Sequence, residues 1–123
     1  VTWHAPAVLF FDYRAGEPGT PVPDMKALLS LHAFTPETPD TTHYVWATSR
    51  DYALGDTAFS EGLRSALAFA FEHEDLPVIR DAHRLMAGKD FWDLEPLVLS
   101  GDGGGIRARR LLQKMIRAEA GEA

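Results

Sequence analysis

The chain contains no cysteine in 123 residues. It can therefore form no disulfide, present no thiolate nucleophile and hold no iron–sulfur cluster through its own side chains. It also lacks any apolar run near the roughly 18 to 20 residues that a helical membrane span needs, and its opening residues do not read as a cleavable leader. The expectation is a protein of the cytoplasm, with no membrane partner. Positive charge is in short supply: 12 Lys and Arg stand against 18 Asp and Glu, for a net charge of −6. Nucleic-acid binding is led by neutralisation of phosphates, so no nucleic-acid partner is expected and a small organic ligand or another protein fits better.

What is present looks globular. Hydrophobic residues make up 46% and charged residues 24% of the chain, close to soluble averages, and this predicts one domain that buries a core. The sequence starts at Val1 and runs almost at once into apolar residues, which reads as a fragment or a trimmed piece cut within a strand.

The first third predicts β structure. Residues 7–13 (AVLFFDY) are rich in strand formers and are followed by breakers at 14–19 (RAGEPG). Lys26 to Phe34 reads as a second strand, with Ser30 and His32 on one face and Leu29, Leu31 and Ala33 on the other. His32 therefore points from a sheet face. After turn chemistry at 35–40 (TPETPD), residues 41–49 alternate again, placing Thr42, Tyr44, Trp46 and Thr48 opposite His43, Val45, Ala47 and Ser49. These two strands are expected to form an antiparallel hairpin. Beyond Asp51 the apolar period becomes helical: Phe59, Leu63, Ala66, Leu67, Ala70 and Phe71 predict a helix from about Thr57 to His73, a second helix from Pro77 to Met86, and a last one opening near Gly103. Strands first and helices last is an α+β signature.

Three constellations have chemical potential, each with a plainer alternative. His73, Glu74 and Asp75 offer imidazole and carboxylate donors for a divalent metal. Asp75, two residues before Pro77, is also well placed to cap the second helix. The five histidines at 4, 32, 43, 73 and 83 include no close pair, so no complete metal site is encoded. Residues 101–105 (GDGGG) superficially suggest a phosphate cradle, but the lysine and the serine or threonine of a P-loop are missing. Asp102 or Ser100 as an N-cap is the simpler expectation. Arg107, Arg109, Arg110, Lys114 and Arg117 could dock an acidic electron carrier, or simply form a solvated basic face. Phe10, Phe11, Trp46, Phe59, Phe69 and Phe71 are expected mostly in the core, and a curved sheet would let some of them line a cavity.

These segments jointly resemble a known family. Residues 32–38 (HAFTPET), 42–46 (THYVW) and 49–51 (SRD), then 74–79 (EDLPVI), 97–102 and 107–110 (RARR), look like the C-terminal part of Rieske-type non-haem iron oxygenases, specifically the vanillate O-demethylase and dicamba monooxygenase branch. The pattern runs in order from Val8 to about Glu119. It implies that residues 1–123 are the C-terminal portion of a helix-grip (START/Bet v1-like) catalytic domain, an antiparallel sheet with C-terminal helices, lacking the Rieske domain and the first part of the catalytic domain. The resemblance makes Asp75 the carboxylate of a two-histidine, one-carboxylate iron site. It places His32 against an aromatic, acidic substrate and makes Leu63 and Ala66 pocket walls; some relatives carry a large aromatic where Ala66 stands. A parent of this kind uses mononuclear Fe(II), a [2Fe–2S] cluster, O₂ and a reductase or ferredoxin donor, and is a homotrimer. The cluster ligands and the paired iron-binding histidines are absent from these 123 residues, so the isolated chain is expected to be inactive and to bind neither cofactor.

Two other classes compete with this expectation. One is a stand-alone helix-grip module that binds a small apolar or aromatic ligand through His32 and the aromatics, without redox chemistry. The other is a segment that chiefly mediates oligomer contacts through exposed sheet edges.

Overall fold

Strand-forming residues in the first half of the chain assemble into one four-stranded sheet, seen in a computed structural model that describes residues 1–121. The strands are β1 (Thr2–His4), β2 (Val8–Ala15), β3 (Lys26–Pro36) and β4 (Thr42–Arg50), in the order β1-β2-β3-β4 with every neighbour antiparallel. By its contacts the chain divides into two units: Val1–Leu54 with the segment from Gly101 onward, and Gly55–Ser100.

The expected hairpin forms. Its five-residue turn is organised by the Thr-Pro-Glu-Thr motif: the amides of Glu37 and Thr38 both donate to the Thr41 carbonyl, at 3.0 and 3.2 Å. The Thr41 hydroxyl donates to the Glu37 carboxylate at 3.0 Å. This knot sets the register, in which Pro36 faces Thr42, Phe34 faces Tyr44, and His32 faces Trp46. At the other end Asp51 closes the sheet, its carboxylate accepting the Ala27 amide at 2.8 Å. Arg50 caps the next two carbonyls, of Tyr52 and Ala53. The Ser-Arg-Asp motif thus fastens the end of the β3–β4 ladder.

Two strand boundaries differ from expectation. β2 continues through Arg14 and Ala15, read from sequence as breakers, because both pair with β3, Arg14 with Ala27 and Ala15 with Lys26. The true reversal comes later, at Gly19, whose φ of 90° is readily adopted only without a side chain. β1 was not anticipated: three residues are too few for alternation to register.

Residues paired across an antiparallel ladder share a face. One face of the sheet therefore carries Phe11, Tyr13, His32, Phe34, Tyr44 and Trp46, and the other carries Phe10, Leu29, Leu31, Ala33 and Val45. In the same unit, α3 (Gly103–Glu119) half-buries Ile106, Leu112 and Met115 and exposes Arg107, Arg109, Arg110, Lys114 and Arg117. Asp102 occupies its N-cap position but makes no capping bond through its side chain, contrary to the expectation for this turn. Gly103, Gly104 and Gly105 are simply its first helical residues and form no cradle.

The second unit is built on one unbroken helical run. α1 (Thr57–Phe69) starts at Asp56, whose carboxylate accepts the Phe59 amide at 2.8 Å in the usual N-cap manner. It passes into a π-helical segment (Ala70–Asp75) and then into α2 (Leu76–Met86). Ala87 and Gly88, both left-handed, end the run. The break expected between His73 and Pro77 does not occur. Proline lacks an amide and its ring crowds the carbonyl of the preceding turn; the wider π turn, closed by Leu76 N–H to Phe71 C=O, absorbs both defects without ending the helix. No helix among the described residues is long and apolar enough to cross a membrane.

Burial corrects a further expectation. Among the described residues only Ala27, Ser30 and His32 are buried, and no large side chain is fully enclosed. The aromatics expected in a core are half-buried at Phe10, Phe11, Trp46 and Phe71, while Phe59 and Phe69 are 40% and 56% exposed. Composition reports how much apolar surface a chain carries, not whether a second layer covers it.

Candidate functional site

Of the three buried residues two are polar, and they touch. Ser30 and His32 lie two apart on β3 and so project from the same face, where Ser30 Oγ sits 2.8 Å from His32 Nε2. On the other side of the ring, Nδ1 meets the hydroxyl of Tyr44 at 2.5 Å. Thr48, opposite Ser30 in register, brings its hydroxyl to 3.4 Å from Ser30 Oγ. The result is a line of hydrogen-bonding groups across two strands: Thr48, Ser30, His32, Tyr44.

Aromatic rings flank this line. Phe11 meets the His32 ring edge to face at 4.8 Å, and Tyr44 stacks on Phe34 at 5.1 Å with the rings 8° apart. Burial lowers the His32 pKa below its ordinary value, since a low-dielectric setting penalises the imidazolium. The ring is therefore neutral at pH 7, with one nitrogen donating and the other accepting. A shallow concavity of about 240 Å³ lies elsewhere, lined by Arg14, Ala27, Leu29, Ser49, Arg50 and Asp51, with Ala27 and Leu29 on the opposite face from His32.

The remaining candidates belong to the second unit. Leu63 and Ala66 lie one turn apart on α1, Leu63 half-buried and Ala66 exposed. Asp75 closes the π segment with an exposed side chain. It has helical backbone angles and makes no capping hydrogen bond, so the capping role expected from its place before Pro77 is not realised. A residue inside a continuous helix has no free amides in front of it to cap. His73 does not join it: the imidazole stacks on Phe69 at 4.6 Å, four residues back.

Among the described residues no group of three or more His, Cys, Asp or Glu side chains comes together to hold a metal ion. An octahedral Fe(II) site of the facial-triad kind needs three protein donors on one side of the ion. One carboxylate does not meet that requirement, so the residues present do not fit an iron centre by themselves.

Tyr44, like Thr48, is a member of the His32 cluster that sequence reading did not single out. Alternation placed it on a sheet face. Only the β3–β4 register, which seats Tyr44 diagonally across from His32, joins the two.

By architecture this is an α+β protein with an aromatic, hydrogen-bonded cluster on one face of an antiparallel sheet. The chain belongs to the family described as the vanillate O-demethylase oxygenase C-terminal domain, whose model matches residues 1–118. It is 32% identical over 117 residues to the oxygenase component of chloroacetanilide N-alkylformylase from Rhizorhabdus wittichii, covering 95% of this chain and 34% of that protein. It is 28% identical over 120 residues to the oxygenase component of dicamba O-demethylase from Stenotrophomonas maltophilia, covering 98% and 35%. With the vanillate O-demethylase oxygenase subunit of a Pseudomonas species it shares 32% identity over 109 residues, covering 86% and 32%. The chain thus spans about a third of the length of these relatives. No solved structure matches it. The family resemblance read from the sequence is borne out.

Proposed function

We propose that residues 1–123 form the C-terminal portion of the catalytic domain of a Rieske-type non-haem iron oxygenase, which hydroxylates or O-demethylates an aromatic substrate with O₂ and electrons from a reductase. The reading is supported above all by the family match over residues 1–118, and by relatives that are themselves oxygenase components. Within it Asp75 is the carboxylate ligand of the mononuclear iron, an assignment favoured by an exposed carboxylate that does no capping. The two histidine ligands and the [2Fe–2S] cluster are assigned to parts of the relatives that this chain does not span. His32 belongs to the substrate-facing surface, with Leu63 and Ala66 as walls. The domain is of helix-grip type, in a cytoplasmic homotrimer, and these 123 residues alone neither hold the cofactors nor turn over.

The deciding experiment uses the full-length gene product with a reductase. Aromatic-substrate-dependent O₂ uptake, abolished in Asp75→Asn together with the loss of one equivalent of iron, is the expected result. Retained iron and turnover in Asp75→Asn would remove the assignment.

A second reading draws on the buried Ser30–His32 pair, which needs no metal: a helix-grip module that binds an aromatic or apolar ligand without redox chemistry. Ligand binding without any O₂ uptake or bound iron in the full-length protein would favour it.

A further inference from the structure

Three exposed arginines elsewhere in the chain have a carboxylate close by in sequence: Arg14 has Asp12 at 2.6 Å, Arg64 has Glu61 at 2.8 Å and Arg84 has Asp81 at 3.2 Å. α3 is built differently. From Gly103 to Ala118 it holds no carboxylate, and Glu119 alone stands against five Lys and Arg, a net charge of +4. The whole chain is at −6, so the remaining residues sum to −10. Four of the cations, Arg107, Arg110, Lys114 and Arg117, follow one another at spacings of three, four and three residues, and all are exposed. At 3.6 residues per turn they fall within an arc of about 80° and form a stripe about 15 Å long. Ala108, Leu112 and Met115, all half-buried, lie on the other side of the helix.

We propose that this stripe docks the acidic surface of a separate electron-donor protein of the ferredoxin kind. The inference rests on the reading of the chain as part of an oxygenase that takes its electrons from such a donor.

The stripe costs the helix that carries it. Like charges three or four residues apart repel, and Arg107 with Arg110, Arg110 with Lys114, and Lys114 with Arg117 are three such pairs. The helix dipole favours cations only near the C-terminus, and Arg117 is the one basic residue in the last turn. No carboxylate stands three or four positions from any of the four, so local ion pairs of the kind seen at Arg64 and Arg84 do not offset the repulsion. An anionic partner relieves it.

The size and surroundings of the stripe select the kind of partner. A nucleic-acid duplex or an anionic bilayer extends well beyond 15 Å and would meet the −10 of the remaining residues. A small folded protein with a compact acidic patch meets the stripe alone. Three of the four cations are arginines, whose planar forks match carboxylates in pairs. An electron donor must also bind and leave in every turnover. Charged stripes speed encounter, and small interfaces keep such complexes weak enough to part.

The test uses the full-length gene product and a purified acidic ferredoxin in its oxidised form, with Kd read by titration. At an ionic strength of about 20 mM, where charges act over some 20 Å, the combined Arg107→Gln, Arg110→Gln, Lys114→Gln and Arg117→Gln protein is expected to bind about tenfold or more weakly. At about 0.5 M the two proteins should differ by less than about twofold. Glutamine is a good helix former, and far-UV circular dichroism checks that the helix survives. Arg107→Lys with Arg110→Lys and Arg117→Lys, which keeps the charge, should stay within about threefold of the unsubstituted protein. Arg64→Gln with Arg84→Gln, on the other unit, should leave binding unchanged. A loss no larger than in that control, affinity indifferent to salt, or no binding by the unsubstituted protein would each overturn the proposal. So would tighter, stripe-dependent binding of duplex DNA or of phosphatidylserine vesicles. Its failure is separable from that of the oxygenase reading, because Asp75→Asn reports on iron and turnover. If the glutamine protein binds ferredoxin normally while Asp75→Asn abolishes turnover, this inference alone falls; a full-length protein without iron or O₂ uptake removes both.

Discussion

The amide of Leu76 donates to the carbonyl of Phe71, five residues back instead of four. That step widens the helix for one turn just before Pro77 and leaves Asp75 inside a continuous helical run, free of capping duty. π segments inside α-helices recur at functional sites, and here one ends on Asp75, the carboxylate proposed above as an iron ligand.

Pro77→Ala restores the missing amide and removes the ring, so the run from Thr57 to Met86 can relax toward regular α-helix. Stability should rise, by no more than the roughly 3 kcal/mol that an interior proline costs. Urea denaturation would show it, and lower iron content in the full-length protein should accompany the gain if the π turn aims Asp75. A loss of stability would mean that the proline ring contributes packing.

Two aspartates should behave in opposite ways. Asp56→Ala removes a side-chain bond to the Phe59 amide and should cost about 1 kcal/mol. Asp75→Ala removes no cap and should stay within about 0.5 kcal/mol. Denaturant midpoints of the two variants would separate them, and an equal cost would reinstate Asp75 as a cap.

His32 should make stability depend on pH. Its folded pKa lies below its ordinary value, so between the two the unfolded chain binds more protons, and stability rises with pH. The contribution is complete above about pH 6.5, the ordinary histidine value, and is lost as pH falls through the folded pKa. Chemical denaturation from pH 7 to pH 5 should therefore show a steeper decline in the unsubstituted protein than in His32→Gln. Identical slopes would contradict the burial of a neutral ring.

Exposed apolar surface should make the 123-residue chain associate. Leu85, Leu54 and Leu97 are 76%, 74% and 86% exposed, and among the described residues no large side chain is fully enclosed. Sedimentation of the isolated chain should show mass rising with concentration, together with binding of an apolar dye. A clean monomer that ignores the dye would show that these side chains find cover.

Much of the framework was legible in the residues. Alternation located β3 and β4, the Thr-Pro-Glu-Thr turn joined them as a hairpin, and the apolar period from Phe59 onward announced α1. Pro77 was misleading, because a helix-breaking residue was read as a helix end when a wider turn could carry it. The aromatics were misleading in another way: strand and helix periods place them on apolar faces but do not supply a covering layer.

The sequence by itself determined the strand faces, the hairpin, the helical character of the residues beyond Thr57 and the family, because side-chain alternation, helical period and turn chemistry act over a few residues at a time. Only the tertiary structure decided that Tyr44 completes the His32 cluster, since that contact depends on the register of two strands brought together across a turn. It also decided that Asp75 sits within a helix and not at its start. That outcome rests on whether a backbone amide reaches four residues back or five, a choice that the apolar pattern does not record.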